Sequence, residues 1–97
     1  MSKYEIEKTE EFQEWFLIQK SRSKAQIEKR LLKIKSEGHF GHINKVGDEL
    51  FELKFTDGRR IYYTIIPISK VILLLGGNKN GQQKDITQAK KIRSEYT

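Results

Sequence analysis

The residues best suited to chemistry lie in the second half of the chain, on two strands predicted to form a hairpin. Because side chains alternate across a sheet, one face of this hairpin holds four polar groups: Glu52, Lys54, Arg60 and Tyr62. Such a face is poor core material, since each buried charge would need a partner. The pattern therefore predicts a functional site, with two cations, a carboxylate and a phenol on one surface of the sheet.

A glycine-rich basic segment follows the next predicted strand. It reads Gly76-Gly77-Asn78-Lys79-Asn80-Gly81, and we expect it to form a loop that brings Lys79 and Gln82 to the same place. Glycine lets a backbone approach a phosphate closely, and backbone N–H groups there can bind an anion. The spacing matches neither a P-loop nor a Rossmann fingerprint. A plain tight turn is therefore the alternative interpretation.

These residue types suit the cleavage of RNA by its own 2′-hydroxyl, a reaction that needs neither a metal nor a protein nucleophile. Arg60 is the best candidate for a bidentate clamp on the developing phosphate charge. Lys54 and Lys79 could supplement that charge or transfer protons. Three other side chains are candidates for proton transfer: Glu52, Asp85 and Tyr62. Tyr62 could instead stack on a splayed base.

The same residues also have structural interpretations. Glu52 and Lys54 could form cross-strand ion pairs with Arg60 on a solvated face, which we weigh equally with the catalytic role. Asp85 could simply cap the last helix. Trp15 and Tyr63 are predicted to be core residues.

Five further basic residues are candidates for contacting RNA phosphates: Arg59, Lys84, Lys90, Lys91 and Arg93. A solvated helix face is the alternative explanation for the last three. His39 and His42 lie three residues apart in a glycine-rich loop, without the nearby carboxylate or thiolate that a metal site needs. No metal or cofactor is predicted.

Composition narrows the class of protein. A chain of 97 residues has room for one core, so residues 1–97 are predicted to form a single domain. Nineteen Lys and Arg residues against 13 Asp and Glu residues give a net charge of +6, which favours an anionic partner. The chain has no cysteine and no apolar run longer than 71–75, and the charged residues after Met1 lead us to expect no signal peptide. We therefore expect a soluble cytoplasmic protein that does not enter a membrane.

The first half of the chain predicts a short strand followed by two helices. Residues 4–7 alternate as a strand would, and Thr9 can cap a helix. The sequence Ser23-Lys24-Ala25-Gln26 is a capping box that starts a second helix, which ends near Gly38. The outward face of this helix is predicted to carry Lys24, Glu28, Lys29 and Lys35, with Arg30 beside them. The two helices are expected to form a hairpin laid on a sheet.

The second half predicts an antiparallel sheet and a last helix. Residues 37–48 read as a loop, after which the period changes to two, and Asp57-Gly58 marks a two-residue hairpin turn. Residues 67–69 make the next turn, and 71–75 are apolar on both faces, as in a central strand. The last helix packs through Ala89, Ile92 and Tyr96. The predicted fold is α+β, in the order β-α-α-β-β-β-α.

The chain resembles the RelE/HigB-like toxins of the RelE/ParE superfamily, in the branch called addiction-module killer proteins. The resemblance runs from about Thr9 to the end. It is carried by Phe12 with Trp15-Phe16, Arg30-Leu31, the glycines of the 38–47 loop, Glu52-Leu53-Lys54, Gly58-Arg59-Arg60-Ile61-Tyr62-Tyr63, and a C-terminal string with Gly76-Gly77, Lys79, Gln82, Asp85-Ile86 and Ala89.

The resemblance implies a RelE-like fold and the toxin of a type II toxin–antitoxin system. Toxins of this kind are mRNA endoribonucleases that typically act in the ribosomal A site, and a neighbouring antitoxin, often of helix-turn-helix type, neutralises them. By position, the implied reactive groups are Lys54, Arg60, Lys79, Gln82 and Asp85. The branch commonly has Arg where Lys54 stands, and better-characterised RelE members place a Tyr near the position of Asp85.

Two alternative functions remain open from the sequence. ParE toxins resemble this fold but inhibit DNA gyrase by binding, which would place the action on the helical hairpin. A non-catalytic nucleic-acid-binding module would fit the net charge equally well.

Overall fold

A computed structural model describes residues 3–96, whose elements form a five-stranded sheet with helices on both faces. The elements in chain order are β1 (Glu5–Lys8), α1 (Glu10–Leu17), α2 (Ser21–Glu37), β2 (Ile43–Gly47), β3 (Leu50–Lys54), β4 (Arg59–Ile66), β5 (Lys70–Asn78), a 3₁₀ turn (Lys79–Gly81) and α3 (Gln82–Ser94). The strands lie in the order β1-β5-β4-β3-β2. The predicted α+β class is confirmed. No helix within residues 3–96 is long and apolar enough to cross a membrane.

Two details of the predicted sheet were wrong. The sheet is mixed, because β1 pairs with β5 in parallel, whereas the other neighbours are antiparallel. The segment predicted as a loop contains the edge strand β2, which gives the order β-α-α-β-β-β-β-α. The first three residues of β2 are exposed, so the strand buries little and leaves no alternating pattern in the sequence.

The helix boundaries follow their caps. Thr9 caps α1 as predicted, since its Oγ1 accepts a hydrogen bond from the Phe12 N–H and donates one to the Leu74 carbonyl. Gly38 ends α2 in the left-handed conformation, with φ +70°. The predicted start of α2 was wrong by three residues, because the N-cap is Lys20 rather than Ser23 and the Lys20 carbonyl already accepts from the Lys24 N–H.

The hairpin between β3 and β4 is confirmed, with a loop of three residues rather than two. The Phe55 N–H donates to the Arg59 carbonyl, so residues 56–58 form the loop. Gly58 adopts φ +94°, which glycine reaches without steric cost. The turn at 67–69 is also confirmed. Strand β5 is longer than predicted and continues through both glycines to Asn78.

The helical hairpin packs on one face of the sheet, as strand alternation predicted. Phe12 of α1 and Ile27, Leu31 and Ile34 of α2 meet Leu53, Ile61, Tyr63, Val71 and Leu73 of the sheet, and Trp15 packs against this cluster. Tyr63 and Trp15 therefore have the core positions expected of them.

The last helix covers the opposite face of the sheet and forms a second core. Ala89 and Ile92 of α3 pack there as predicted, against Leu50, Tyr62, Ile72 and Leu74. The predicted role of Tyr96 in this stripe was wrong: α3 ends at Ser94, and Tyr96 is 39% exposed beyond it. The sheet face that was predicted to carry the functional site is therefore partly covered by α3.

Candidate active site

Three strands meet at one rim of the sheet, and their pairing aligns the candidate residues. Lys54 of β3 lies directly opposite Arg60 of β4, and Arg60 lies directly opposite Gly77 of β5. Residues opposite each other in a ladder point to the same face. Lys54 and Arg60 therefore share the face that α3 covers, as strand alternation predicted.

Glu52 is the charged centre of this face. It is fully buried, and its Oε1 accepts a hydrogen bond from Arg60 Nη1 at 2.8 Å. Gln82 Nε2 donates to Oε2 at 3.1 Å, and Asn44 Nδ2 lies 3.5 Å from Oε1. A buried carboxylate needs such partners. The ion pair expected on a solvated face is thus present but buried, with the Arg60 side chain 13% exposed.

Tyr62 lies beneath α3 and is fully buried. Burial, with smaller contributions from the charges of Glu52 and Asp85, raises the pKa of its phenol to about 12. Within residues 3–96, neither Tyr62 Oη nor Arg60 Nε makes a hydrogen bond, although both atoms are buried. The prediction that Tyr62 stacks on an RNA base was wrong for this conformation, because the ring has no exposed surface.

Asp85 lies in the first turn of α3 and does not cap it, because the helix begins at Gln82. Its carboxylate sits against β5: a Cβ built on Gly77 would lie 2.1 Å from Asp85 Oδ2. Burial raises the pKa of Asp85, and the neighbouring Lys84 partly opposes that shift. A partly buried carboxyl group with a raised pKa is a candidate for proton transfer.

The glycine pair has a different role from the predicted phosphate loop. Gly76 and Gly77 both lie within β5. A Cβ on Gly76 would lie 2.0 Å from the Trp15 indole, just as one on Gly77 would collide with Asp85. The prediction that these glycines cradle a phosphate was therefore wrong, because side chains of α1 and α3 occupy the space that they leave.

Lys79 follows β5 and lies over the β3–β4 turn. Its N–H donates to the Gly58 carbonyl at 2.9 Å. Its aliphatic stem packs above Gly58, where a Cβ would lie 3.4 Å from Lys79 Cδ. The Lys79 side chain is exposed and adds a cation at the same rim as Lys54 and Arg60.

The predicted RNA-contacting cations divide into three exposed lysines and two arginines that are hydrogen-bonded to other side chains. Lys84, Lys90 and Lys91 are exposed on α3. Arg93 donates to Glu49 at 2.6 Å. Arg59 points to the α2 face, where it pairs with Asp57 at 2.7 Å and donates to Gln26.

Arg30 was predicted only to lie beside the outward face of α2, and its role in joining α2 to the sheet was missed. Its guanidinium donates to the backbone carbonyls of Phe40, His42 and Lys54 and lies 4.7 Å from the centroid of the Phe55 ring. Burial lowers the pKa of Arg30. Its position in the sequence could have predicted this role, because a residue three positions after Ile27 lies at the edge of the apolar stripe of α2 and not on the opposite face.

Comparison with known proteins gives a family match over most of the chain. Residues 14–97 match the family described as phage derived protein Gp49-like (DUF891). An uncharacterised protein of Haemophilus influenzae is 39% identical over 94 residues, which cover 94% of each chain.

Solved structures of E. coli RelE share the fold at low sequence identity. A RelE double mutant in the free state matches with a TM-score of 0.71 and 19% identity, covering 94% of this chain and 97% of that one. RelE in the intact E. coli RelBE toxin–antitoxin complex matches with a TM-score of 0.64 and 19% identity over 77% of this chain and 95% of that one. The predicted RelE-like architecture is thereby confirmed. The chain belongs to the phage-derived Gp49-like family and has the fold of the RelE toxins.

Proposed function

We propose that this protein is the toxin of a toxin–antitoxin system and acts as a metal-independent mRNA endoribonuclease on translating ribosomes. The observation that carries the proposal is the row Lys54–Arg60–Gly77 across three strands, with the Asp85 carboxylate packed on Gly77. Two cations and a carboxyl group with a raised pKa then lie at one rim of the sheet. These are the groups that cleavage by a 2′-hydroxyl requires.

In the proposed reaction, Asp85 accepts the proton of the 2′-hydroxyl while that oxygen forms a bond to phosphorus. Arg60 and Lys54 stabilise the charge that develops on the phosphoryl oxygens. The bond from phosphorus to the 5′-oxygen breaks, and Lys79 donates a proton to the departing oxygen. The products are a 2′,3′-cyclic phosphate and a 5′-hydroxyl end.

Glu52 and Gln82 have a positioning role in this proposal. Glu52 fixes one Arg60 nitrogen at 2.8 Å, and Gln82 holds the other oxygen of Glu52. Fixing Arg60 before the substrate arrives removes the cost of ordering it during the reaction.

An antitoxin is the proposed protein partner. The fold neighbour in the RelBE complex is a toxin bound to its antitoxin. By analogy, a cognate antitoxin, which we expect to be of helix-turn-helix type, would neutralise this chain.

The experiment maps RNA 5′ ends after a short pulse of expression, comparing wild type with Lys79→Ala and Asp85→Asn. Arg60→Ala is a poor choice, because it would leave Glu52 buried without its ion-pair partner at a cost of about 3–5 kcal/mol. Lys8→Ala, an exposed cation on the opposite edge strand, is the matched control.

New ends inside translated codons with wild type and Lys8→Ala, but not with the two site variants, would support the ribonuclease. Growth arrest without new ends would contradict it and favour the ParE-like alternative. One observation favours that alternative: Leu17 and Ile18, at the end of α1 in the helical hairpin, are 67% and 80% exposed.

A further inference from the structure

Two clefts lie side by side between α2 and the sheet, on the face opposite the candidate active site. Their volumes are about 350 and 660 Å³. Gln26 and Arg30 line both clefts, which makes them one continuous groove. It runs from the loop at residues 39–42 to the β3–β4 turn at residues 55–59, and we call it the basic groove.

The basic groove is strongly cationic. Its charged side chains are Lys29, Arg30, Lys33 and Arg59, the last of which is paired with Asp57, and none of its lining residues within 3–96 is acidic. Lys29 and Lys33 are exposed one helical turn apart, so both side chains reach the same cleft. Among residues 3–96, Arg30 bonds only to backbone carbonyls, and no carboxylate in this part of the chain pairs with it.

Aromatic rings accompany these cations. Phe40 lines the first cleft and Phe55 the second, and both are partly buried. The guanidinium groups of Arg30 and Arg59 lie 4.7 and 4.9 Å from the centroid of the Phe55 ring. A cationic groove with aromatic rings is the usual surface for single-stranded nucleic acid, since phosphates need charge and bases need a π-face.

The groove is continuous with the candidate active site. Lys54 borders both sites, because its backbone carbonyl accepts from Arg30 in the groove while its side chain lies on the other face, directly opposite Arg60 in the ladder. Lys79 packs over Gly58 in the turn that closes this end of the groove. A strand that leaves the groove around this turn would therefore arrive at the rim where Lys54, Arg60 and Lys79 meet.

We propose that the basic groove binds a single-stranded RNA segment that flanks the scissile bond. This inference rests on the proposed function, because cleavage at the rim identifies RNA as the occupant. An acidic peptide would satisfy the charge, but it would use neither the aromatic rings nor the path to the active site.

The test measures binding of a fluorescent, fully 2′-O-methylated RNA of about twelve nucleotides, which the protein can bind but cannot cut. Wild type is compared with Lys29→Glu/Lys33→Glu. We expect the double variant to raise Kd by about tenfold at low salt, because two phosphate contacts are lost. The slope of log Kd against log salt should fall by about 1.4.

The matched control is Lys8→Glu/Lys35→Glu, which changes the net charge equally. Lys8 and Lys35 are exposed and line a different cleft, on the other side of α2. Lys29→Gln/Lys33→Gln is a milder pair, and the circular dichroism of each variant checks its fold.

An equal loss of affinity in both charge-reversal pairs, or none in either, would overturn the groove proposal. Tighter binding of an oligoglutamate peptide than of the RNA would also overturn it. Selective loss in the groove pair supports the proposal, even if unmodified RNA is bound and never cut. If unmodified RNA is bound but never cut, the ribonuclease proposal is contradicted, whereas the proposal that the groove binds RNA is still supported.

Discussion

At the scale of single residues, the two adjacent glycines of β5 leave room for side chains from two different helices. The missing Cβ of Gly76 admits the Trp15 indole, and that of Gly77 admits the Asp85 carboxylate. One glycine thus serves the packing of α1, and its neighbour sets the position of a candidate proton acceptor.

We expect Gly77→Ala to lower the free energy of unfolding by about 1–3 kcal/mol, because its Cβ would overlap Asp85 Oδ2. In an Asp85→Ala background, Gly77→Ala should lower the free energy of unfolding much less, because the carboxylate that its Cβ would overlap is absent. Urea unfolding of the four proteins in this double-mutant cycle measures the coupling. Equal costs in both backgrounds would show that Asp85 does not occupy this space.

The raised pKa of Asp85 predicts how the free energy of unfolding depends on pH. In the folded protein the carboxyl group holds its proton to a higher pH than in the unfolded chain, because burial disfavours its charged form. The free energy of unfolding should therefore fall as pH rises from the ordinary pKa through the raised one. Asn cannot ionise, so Asp85→Asn should gain stability relative to wild type between acid and neutral pH.

Urea unfolding of wild type and Asp85→Asn at about pH 3 and at neutral pH measures this difference. Glu10→Gln, an exposed carboxylate in the first turn of α1, is the control. A stability difference between wild type and Asp85→Asn that does not change with pH would contradict the raised pKa.

At the scale of elements, one arginine holds α2 to the far edge of the sheet. Arg30 bonds to carbonyls of the 38–42 loop and of Lys54 at the end of β3. The edge strand β2 begins immediately after this loop, so its position depends on the same contacts. The wall of the basic groove is built by these bonds.

Arg30→Met should therefore lower the free energy of unfolding by about 1–3 kcal/mol, since the carbonyls lose their charged donor. Arg22→Met, an exposed arginine of the same helix, should change it little. Hydrogen exchange by NMR should show faster exchange in β2 of the Arg30 variant than in β5. Unchanged protection of β2 would argue against the role of this arginine.

At the scale of the whole molecule, the sheet is shared by two cores on opposite faces. Strand β4 contributes Ile61 and Tyr63 to the core beneath the helical hairpin and Tyr62 to the core beneath α3. Loss of either core should therefore remove the support of the other, and we expect unfolding to be cooperative.

Ile92→Ala in the second core should lower the free energy of unfolding by about 2–5 kcal/mol. Trp15, which packs against the first core, provides the fluorescence signal, and far-ultraviolet circular dichroism reports the helices. Both transitions should move to lower urea concentration by the same amount. A Trp15 transition that stayed in place would show that the two cores unfold separately.

The local features of this fold could be predicted from the sequence because short-range chemistry specifies them. Strand alternation places Lys54 and Arg60 on one face, Thr9 caps its helix, and Gly58 fits a turn with positive φ. Each of these depends on neighbours within a few residues along the chain. The resemblance to RelE-like toxins added the fold, which the comparisons confirm.

Only the tertiary structure decided what occupies each face. The coverage of Tyr62 by α3, the burial of Glu52 and the filling of the space at Gly76 and Gly77 all depend on contacts between residues distant in sequence. The parallel pairing of β1 and the position of β2 at the sheet edge also depend on such distant contacts, because the sequence of a short strand does not specify which strand it pairs with. The sequence by itself thus determined which residues share a face, and packing determined which of them stay accessible, because burial depends on the elements that cover a face.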